Sequence, residues 1–391
     1  MFRQMQEDGF SHASALAFAD LAEANNDPDA AIAALEHSLL QNGENPDLHA
    51  RLADLYARIG NDGMAQHHGS HAGAAPDAPE RQIWGRVGVG IAYDTNPTSA
   101  ENSAQIRLFD VPSNAFINVA ARDEEPDTLA TVSLELNGDY KLSETALLAA
   151  ELNVSAEKYF DVEELDTITA SFTTGPWLGL GEAENGPVWL RPYLALNAAT
   201  LDGRSYYYSY GAGAELRYSL NDTDQASLTA TVLRTDYNGQ VSANFDANTL
   251  DSTALLLNAG LFGEAAFDST YAVQVSGAVL EASSSSESYL LVGLEAGLNV
   301  PITGFGQATG IPLSVQVGGS VNHFRYANED PDVDPTQARR DLWLGGNGSL
   351  LLTVTEDVDL TIGVDYVRQF SNIDAFDTDN LRIFTELGLS F

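Results

Sequence analysis

Seven histidines, no cysteine and a large surplus of carboxylates limit the chemistry open to this 391-residue chain. Six of the histidines lie at or before residue 71, which leaves His323 alone in the remainder. A hydrolytic nucleophile needs a histidine beside it and an orienting acid behind. His323 has Asn322 next to it and Ser320 assigned to its strand face, with no acid to complete a triad, so no enzymatic activity is expected. His67 and His71 stand one helical turn apart and could share a zinc ion, but no carboxylate completes the set. The acidic stretches ARDEEPD, NEDPDVDP and DAFDTDN offer oxygen ligands without the spacing of a calcium loop, and they read as solvated surface. No metal and no cofactor are therefore expected. Without cysteine there is no disulfide scaffold, thiol nucleophile or acyl anchor. With 18 basic against 56 acidic residues and a net charge of -38, phosphate repulsion excludes nucleic acid as a partner.

The remaining charges with a regular spacing are those at every second position of long alternating segments. From about residue 82 onward the period is two. Val132, Leu134, Leu136, Tyr140 and Leu142 alternate with Ser133, Glu135, Asn137, Asp139 and Lys141. Tyr208, Tyr210, Ala212, Ala214, Leu216 and Tyr218 alternate with Ser209, Gly211, Gly213, Glu215 and Arg217. Leu290, Val292, Leu294, Ala296 and Leu298 oppose Gly293, Glu295, Gly297 and Asn299, and Leu381, Ile383, Leu387, Leu389 and Phe391 oppose Arg382, Glu386, Gly388 and Ser390. One face wholly apolar and the other charged at mid-strand describes a wall between lipid and water. The segments run to ten residues or more, the length of a tilted bilayer crossing rather than of a sandwich strand. A mean hydropathy of -0.14 agrees with this, because barrels carry apolar residues at alternate positions only, and no run of apolar residues is long enough for a transmembrane helix. The lumen-lining set is Arg86, Glu135, Asp139, Glu151, Arg191, Glu215, Arg217, Glu295, Asp365, Arg368, Arg382 and Glu386, with Glu157 and Lys141 beside them.

Fourteen such segments begin near residues 82, 129, 145, 166, 188, 206, 225, 252, 270, 288, 312, 339, 358 and 380. Long acidic connections at 95–127, 236–252, 325–339 and 370–380 alternate with tight ones such as Ser143-Glu144, Asn221–Asp224 and Glu356-Asp357, while 181–187 and 301–311 are longer than that rule allows. Short periplasmic turns and long outer loops are the barrel pattern. Two aromatic girdles are assigned to the bilayer interfaces: Tyr93, Tyr159, Tyr206, Tyr207, Tyr208, Tyr237, Tyr289, Tyr326 and Phe384 near the outer rim, and Trp84, Tyr140, Trp177, Trp189, Tyr218, Tyr271 and Phe391 near the inner one. The terminal Phe391 looks like a signal for the barrel-assembly machinery.

Residues 1 to about 75 have helical spacing. In NPDLHARLADLYARIGNDGMAQHH, Pro46 opens a helix with Leu48, Leu52 and Tyr56 on one face, Gly60-Asn61-Asp62 turns, and Met64-Ala65 starts a second helix. The pattern resembles a tetratricopeptide repeat, of which at most two copies fit. The stretch HAGAAPDAPE is a linker. The opening MFRQMQEDGF lacks the apolar core of a signal peptide, so a leader is expected to have been removed or replaced by the initiator Met. The expected architecture is a membrane all-β protein. Residues 1–78 form a periplasmic helical tetratricopeptide-like domain with its linker, and residues 79–391 form a fourteen-stranded antiparallel barrel in the bacterial outer membrane.

Tyr93, Asp94 and Asn96 in the first strand, Leu190-Arg191-Pro192-Tyr193 and Leu201-Asp202-Gly203 in the middle, and Arg368, Ser371, Asn372, Ile373, Asn380–Ile383 and Phe391 at the end resemble the Slam family, the surface lipoprotein assembly modifiers. The helical region is shorter than that family's repeat array, and Pro97 departs from its Asn-rich continuation. The resemblance implies a barrel that helps a secreted or lipid-anchored client protein reach the cell surface, with Leu48, Leu52 and Tyr56 as the client-binding face. Two other functions fit the same segments: a porin or exopolysaccharide-export channel, and a structural or adhesive surface barrel. Outer-membrane lipid and lipopolysaccharide are expected partners in each case.

Overall fold

The computed structural model describes Ala19, Ala22, residues 28–42, 46–59, 61–71 and 81–391, the last stretch without 111, 144, 184–185, 222, 239, 243–244, 247–249 and 332. The chain opening, most of the linker and the turn residues Glu144 and Asp222 lie outside the described residues. Contacts divide the chain into two compact units, Met1–Arg81 and Gln82–Phe391.

In the first unit, α1 (Pro28–Asn42), α2 (Pro46–Arg58) and α3 (Asp62–His71) follow one another. Proline at the start of α1 and of α2 suits the first turn, where its missing N–H costs nothing. Asn61 caps α3 by accepting the Met64 amide at 3.2 Å. Leu48, Leu52 and Tyr56, at four-residue spacing, are 2 %, 0 % and 8 % exposed and pack with Ala31, Leu35 and Leu55 into the core of this unit. That corrects their expected role: side chains holding the helices together are not available to a client. His67 is exposed, the side chain of His71 lies outside the described residues, and among the described residues no group of three His, Cys, Asp or Glu is placed to hold a metal.

The second unit is a closed antiparallel barrel. Its strands are β1 (Arg81–Asp94), β4 (Asp127–Ser143), β5 (Ala146–Tyr159), β6 (Thr167–Ala183), β7 (Gly186–Leu201), β8 (Arg204–Ser219), β9 (Gln225–Tyr237), β12 (Ser252–Glu264), β13 (Thr270–Ala282), β14 (Tyr289–Pro301), β15 (Leu313–Asp330), β16 (Asp334–Thr353), β17 (Val358–Ser371) and β18 (Thr378–Ser390). Sequence neighbours pair in order and the ring closes where β1 meets β18 on one side and β4 on the other. Fourteen strands of 13 to 20 residues each, paired edge to edge in a closed ring, satisfy backbone groups within the wall, the condition for crossing lipid without a helix.

The outer face is apolar. Val89, Val132, Leu194, Leu228, Val275, Leu294, Val321, Ile362 and Leu387 are all between 45 % and 60 % exposed at mid-strand, far more apolar surface than water tolerates in one belt. Alternation continues without a slip through most ladders, so facing follows from residue parity alone.

One rim of the barrel carries both ends of this unit and the short turns; the other carries the loops. On the loop rim, 95–126 is not plain loop. It holds a hairpin of β2 (Gln105–Asp110) and β3 (Ala115–Ala120), while β10 (Gln240–Ser242) and β11 (Phe245–Asp246) form a second small sheet. The expected loop 325–339 is mostly strand: β15 runs on to Asp330 and β16 begins at Asp334. Residues 303–309, on the turn rim, form a short helix, α4 (Thr303–Thr309), which accounts for the longer connection there. The β7–β8 link needs two residues only, because Asp202 and Gly203 both take positive φ (50° and 68°), the mirror-image turn that matches strand twist.

The β2–β3 loop is pinned by Glu101, whose side chain is 6 % exposed and paired with Arg122 at 3.2 Å. Burial alone would raise this carboxyl, but the Arg122 amide and guanidinium outweigh that and hold it below its ordinary value. A lowered carboxylate stabilises the fold above its unfolded pKa, and that contribution is lost as pH falls through the folded value. Acidification below the usual carboxylate range is therefore expected to loosen 95–126 ahead of the strands. Hydrogen exchange at pH 7 and pH 3 reads this directly; equal protection of the loop at both pH values would contradict it.

Candidate functional site: the inner wall

Inward positions of β17, β18, β1, β4 and β5 form an ion-paired half-wall. Arg86 of β1 reaches Asp359 of β17 at 2.8 Å and Glu386 of β18 at 2.6 Å. It passes over Gly388 of β18, where a Cβ would stand 2.2 Å from Arg86 Nη2 and 2.1 Å from Asp359 Oδ2, so the crossing requires glycine. Arg382 of β18 spans β1 and β4 to meet Glu157 of β5 at 2.8 Å, and its ladder partner is Asp365. Arg191 of β7, 4 % exposed, holds Glu151 of β5 at 2.5 Å, and Arg217 holds Glu215 at 2.6 Å. Apart from Arg217–Glu215, which lies within β8, these opposed charges cross-link strands. Arg86→Gln strands two carboxylates and is expected to cost about 1.5–3 kcal/mol, measured as a lower urea midpoint for barrel unfolding; an unchanged midpoint would mean lumen water already screens the pair.

Glu135, Asp139, Glu295 and Asp365 also sit at inward positions, and among the described residues none has a cation at ion-pair distance. Arg368 does not belong to this set. It lies three residues from Asp365 in an unbroken ladder, and an odd separation puts the two on opposite faces. Arg368 is on the outer face near the loop rim, paired with Asp377 at 2.5 Å and stacked on Phe370. Parity likewise separates Ser320 from His323, which is outward and exposed.

The aromatic girdles also need correcting. Tyr93, Tyr140, Tyr208 and Phe391 are exposed on the outer face at the heights expected. Tyr159, Tyr207, Tyr237, Tyr289, Tyr326, Phe384, Trp84, Trp177 and Trp189 occupy inward positions instead. Tyr237 packs against Tyr206 and Tyr207 at 5.3 and 5.5 Å. Tyr289 meets Phe324 and Tyr326 at 5.4 and 5.5 Å, and Phe324 meets Trp343 at 5.0 Å. Inward Arg339 lies 4.6 Å over the Tyr326 ring and pairs with Asp341 at 2.6 Å. Near the turn rim, Trp177, Trp189, Leu147 and Arg217 line a cavity of about 290 Å³, with Arg217 4.5 Å above the Trp177 ring. Sequence height alone missed these rings; the signal that finds them is parity, since Tyr289 is odd in a strand whose outward Leu290, Val292 and Leu294 are even.

The motif residues gather where the ring closes. Asn96, 2 % exposed, donates to the Ala100 and Asp379 carbonyls at 2.9 and 2.8 Å, and its amide donates to Asp94 and Asn380. Asn372 donates to Gln337 and Ala338 and accepts the Arg340 amide, while Ser371 Oγ accepts the Ile373 amide. These residues staple β1, β16, β17 and β18 at the loop rim. At the opposite rim, Phe391 and Gly85 exchange backbone bonds of 2.9 and 3.0 Å.

A closed fourteen-stranded ring with an apolar outer belt and a polar, charged and aromatic inner wall defines a transmembrane barrel of the outer-membrane type. Solved structures of such barrels are similar to it in outline. A FadL homologue of Pseudomonas aeruginosa is 9 % identical, over 79 % of this chain and 89 % of that one, with a TM-score of 0.40. An anion-selective porin from Comamonas acidovorans is 9 % identical, over 80 % and 99 %, with a TM-score of 0.37. A loop-deletion mutant of the Vibrio cholerae outer membrane protein OmpT is 8 % identical, over 80 % and 99 %, with a TM-score of 0.39. No protein-family model and no curated protein matches the chain. The fold assignment rests on the strand pairing itself.

Proposed function

We propose that the barrel is a channel of the bacterial outer membrane that passes polar organic solutes, prefers cations to anions, and carries its turn rim and helical unit on the periplasmic side. One observation carries this reading: inward carboxylates without a cation partner share the wall with a patch of inward rings. Eight strands are filled by their own side chains and sixteen or more leave water inside; fourteen lie nearer the second case. Free carboxylates attract cations, and ring faces offer stacking surfaces to flat or apolar faces of a solute. Uptake of a small neutral sugar into liposomes carrying the full chain tests the passage. Swelling well above protein-free liposomes is expected, and none would reject the channel.

Export or surface display of a secreted or lipid-anchored client is the second reading, supported by the motif resemblance to Slam. The buried Leu48, Leu52 and Tyr56 weigh against it. Surface labelling of candidate client proteins in cells with the full chain, or with residues 1–78 removed, separates the two. Labelling that collapses on truncation favours export; equal labelling favours the channel.

A further inference from the structure

Outward basic side chains near the loop rim are mostly neutralised: Lys158 by Asp166, Arg234 by Asp236, Arg368 by Asp377. Two are not. Arg325 of β15 and Arg340 of β16 stand directly opposite each other in the ladder, both exposed. Among the described residues neither guanidinium has an ion pair. Like charges placed opposite on one sheet face repel, and in a chain of net charge -38 a pair of unneutralised arginines calls for an anion from outside. Both border a cavity of about 510 Å³. Its lining continues across the strands in register, from Arg325 to Leu290 of β14 and on to Val279 of β13. Leu290 and Val279 are 48 % and 47 % exposed to the lipid side. One carboxylate, Glu281, lies at the β13 edge of the cavity. His323 sits two residues along β15 from Arg325 on the same face, about 7 Å away, and adds a further hydrogen-bonding nitrogen.

We infer that this cavity is a site for a phosphorylated lipid of the outer leaflet, with its phosphate held by Arg325 and Arg340 and its acyl chains laid over Leu290 and Val279. The chemistry is mixed in the order a lipid requires: a guanidinium pair, whose planar forks match phosphate oxygens, sits at the rim, and an apolar floor continues into the belt. A free anion would use the arginines and gain nothing from the floor. The site rests on the proposed orientation, which puts the loop rim outside, and does not depend on whether the lumen conducts.

The test uses the full chain in detergent and native mass spectrometry with diphosphorylated lipid A, its dephosphorylated form and inorganic phosphate. The double variant Arg325→Gln, Arg340→Gln should retain diphosphorylated lipid A at least tenfold more weakly than the unmodified chain. Arg234→Gln, which removes an arginine already paired, should leave retention unchanged. The dephosphorylated lipid should bind both proteins equally weakly, and millimolar phosphate should fail to displace the phosphorylated one. Heat-modifiable mobility of the double variant verifies that the comparison is between folded barrels. Equal retention by the double variant, or displacement by inorganic phosphate alone, would overturn the assignment.

Discussion

Replacing Leu294 by arginine is expected to destabilise the barrel by about 2–4 kcal/mol, the cost of a charge at mid-bilayer depth on the lipid face. Leu294 stands at the middle of β14, 48 % exposed to the outside. Its neighbour Glu295 points into the lumen, and in the proposed water-filled channel Glu295→Arg should cost a small fraction of that. Urea unfolding of both variants in lipid vesicles gives the comparison. The neighbouring Gly293 makes a poor lumen probe, because a Cβ there would stand 2.2 Å from Asn322 Oδ1. A greater loss from Glu295→Arg than from Leu294→Arg would mean that the register is off by one residue and that every facing inferred from parity is reversed.

Closure of the ring gives the second large effect. Gly85 of β1 lies where β4 and β18 both press on it: a Cβ would stand 2.5 Å from the Glu135 carbonyl oxygen and 2.8 Å from the Phe391 ring. The ring can swing aside, but the carbonyl belongs to the backbone of β4 and cannot move without dragging the ladder. Gly85→Leu is therefore expected to cost at least the 1–3 kcal/mol or so typical of overpacking, concentrated at the one seam that joins distant parts of the chain. The measurement is the fraction of heat-modifiable, compact protein after refolding into vesicles. Leu at position 83 is the control, since Ile83 is already a large residue on the same face, 54 % exposed. A Gly85→Leu protein that folds as fully as Ile83→Leu would show that the seam is looser than the contacts imply.

Much of the wall could be read from the sequence because a lipid–water wall imposes a period of two over long stretches, and few chain segments satisfy that by accident. The strand starts near 225, 252, 270 and 358 coincide with those of β9, β12, β13 and β17. Where the structure departs from that pattern, the reason is geometric. Arg368 and Asp365 both lie in one charged alternating segment, yet the odd separation between them reverses the face. The tyrosines near strand ends have the right height for a girdle, and height does not distinguish the lipid side from the lumen side. The extended β15–β16 hairpin reads as loop because NEDPDVDP is acidic and proline-rich; the strands continue through its flanks by pairing with each other. Leu48, Leu52 and Tyr56 form an apolar stripe that serves equally as core or as docking surface until the neighbouring helix is seen to cover it. The cross-barrel ion pairs Arg86–Asp359 and Arg382–Glu157 join residues more than 200 positions apart, and nothing local in the sequence announces them.

The proposed channel holds water in its lumen against a wall with uncompensated carboxylates. The reversal potential of the full chain in a planar bilayer across a tenfold potassium chloride gradient tests this most directly. The account predicts a stable conductance with the potential displaced to the cation-selective side, and a displacement that shrinks when Glu135, Asp139, Glu295 and Asp365 are changed together to their amides. An absent conductance, or an anion-selective one that the amide changes leave untouched, would contradict it.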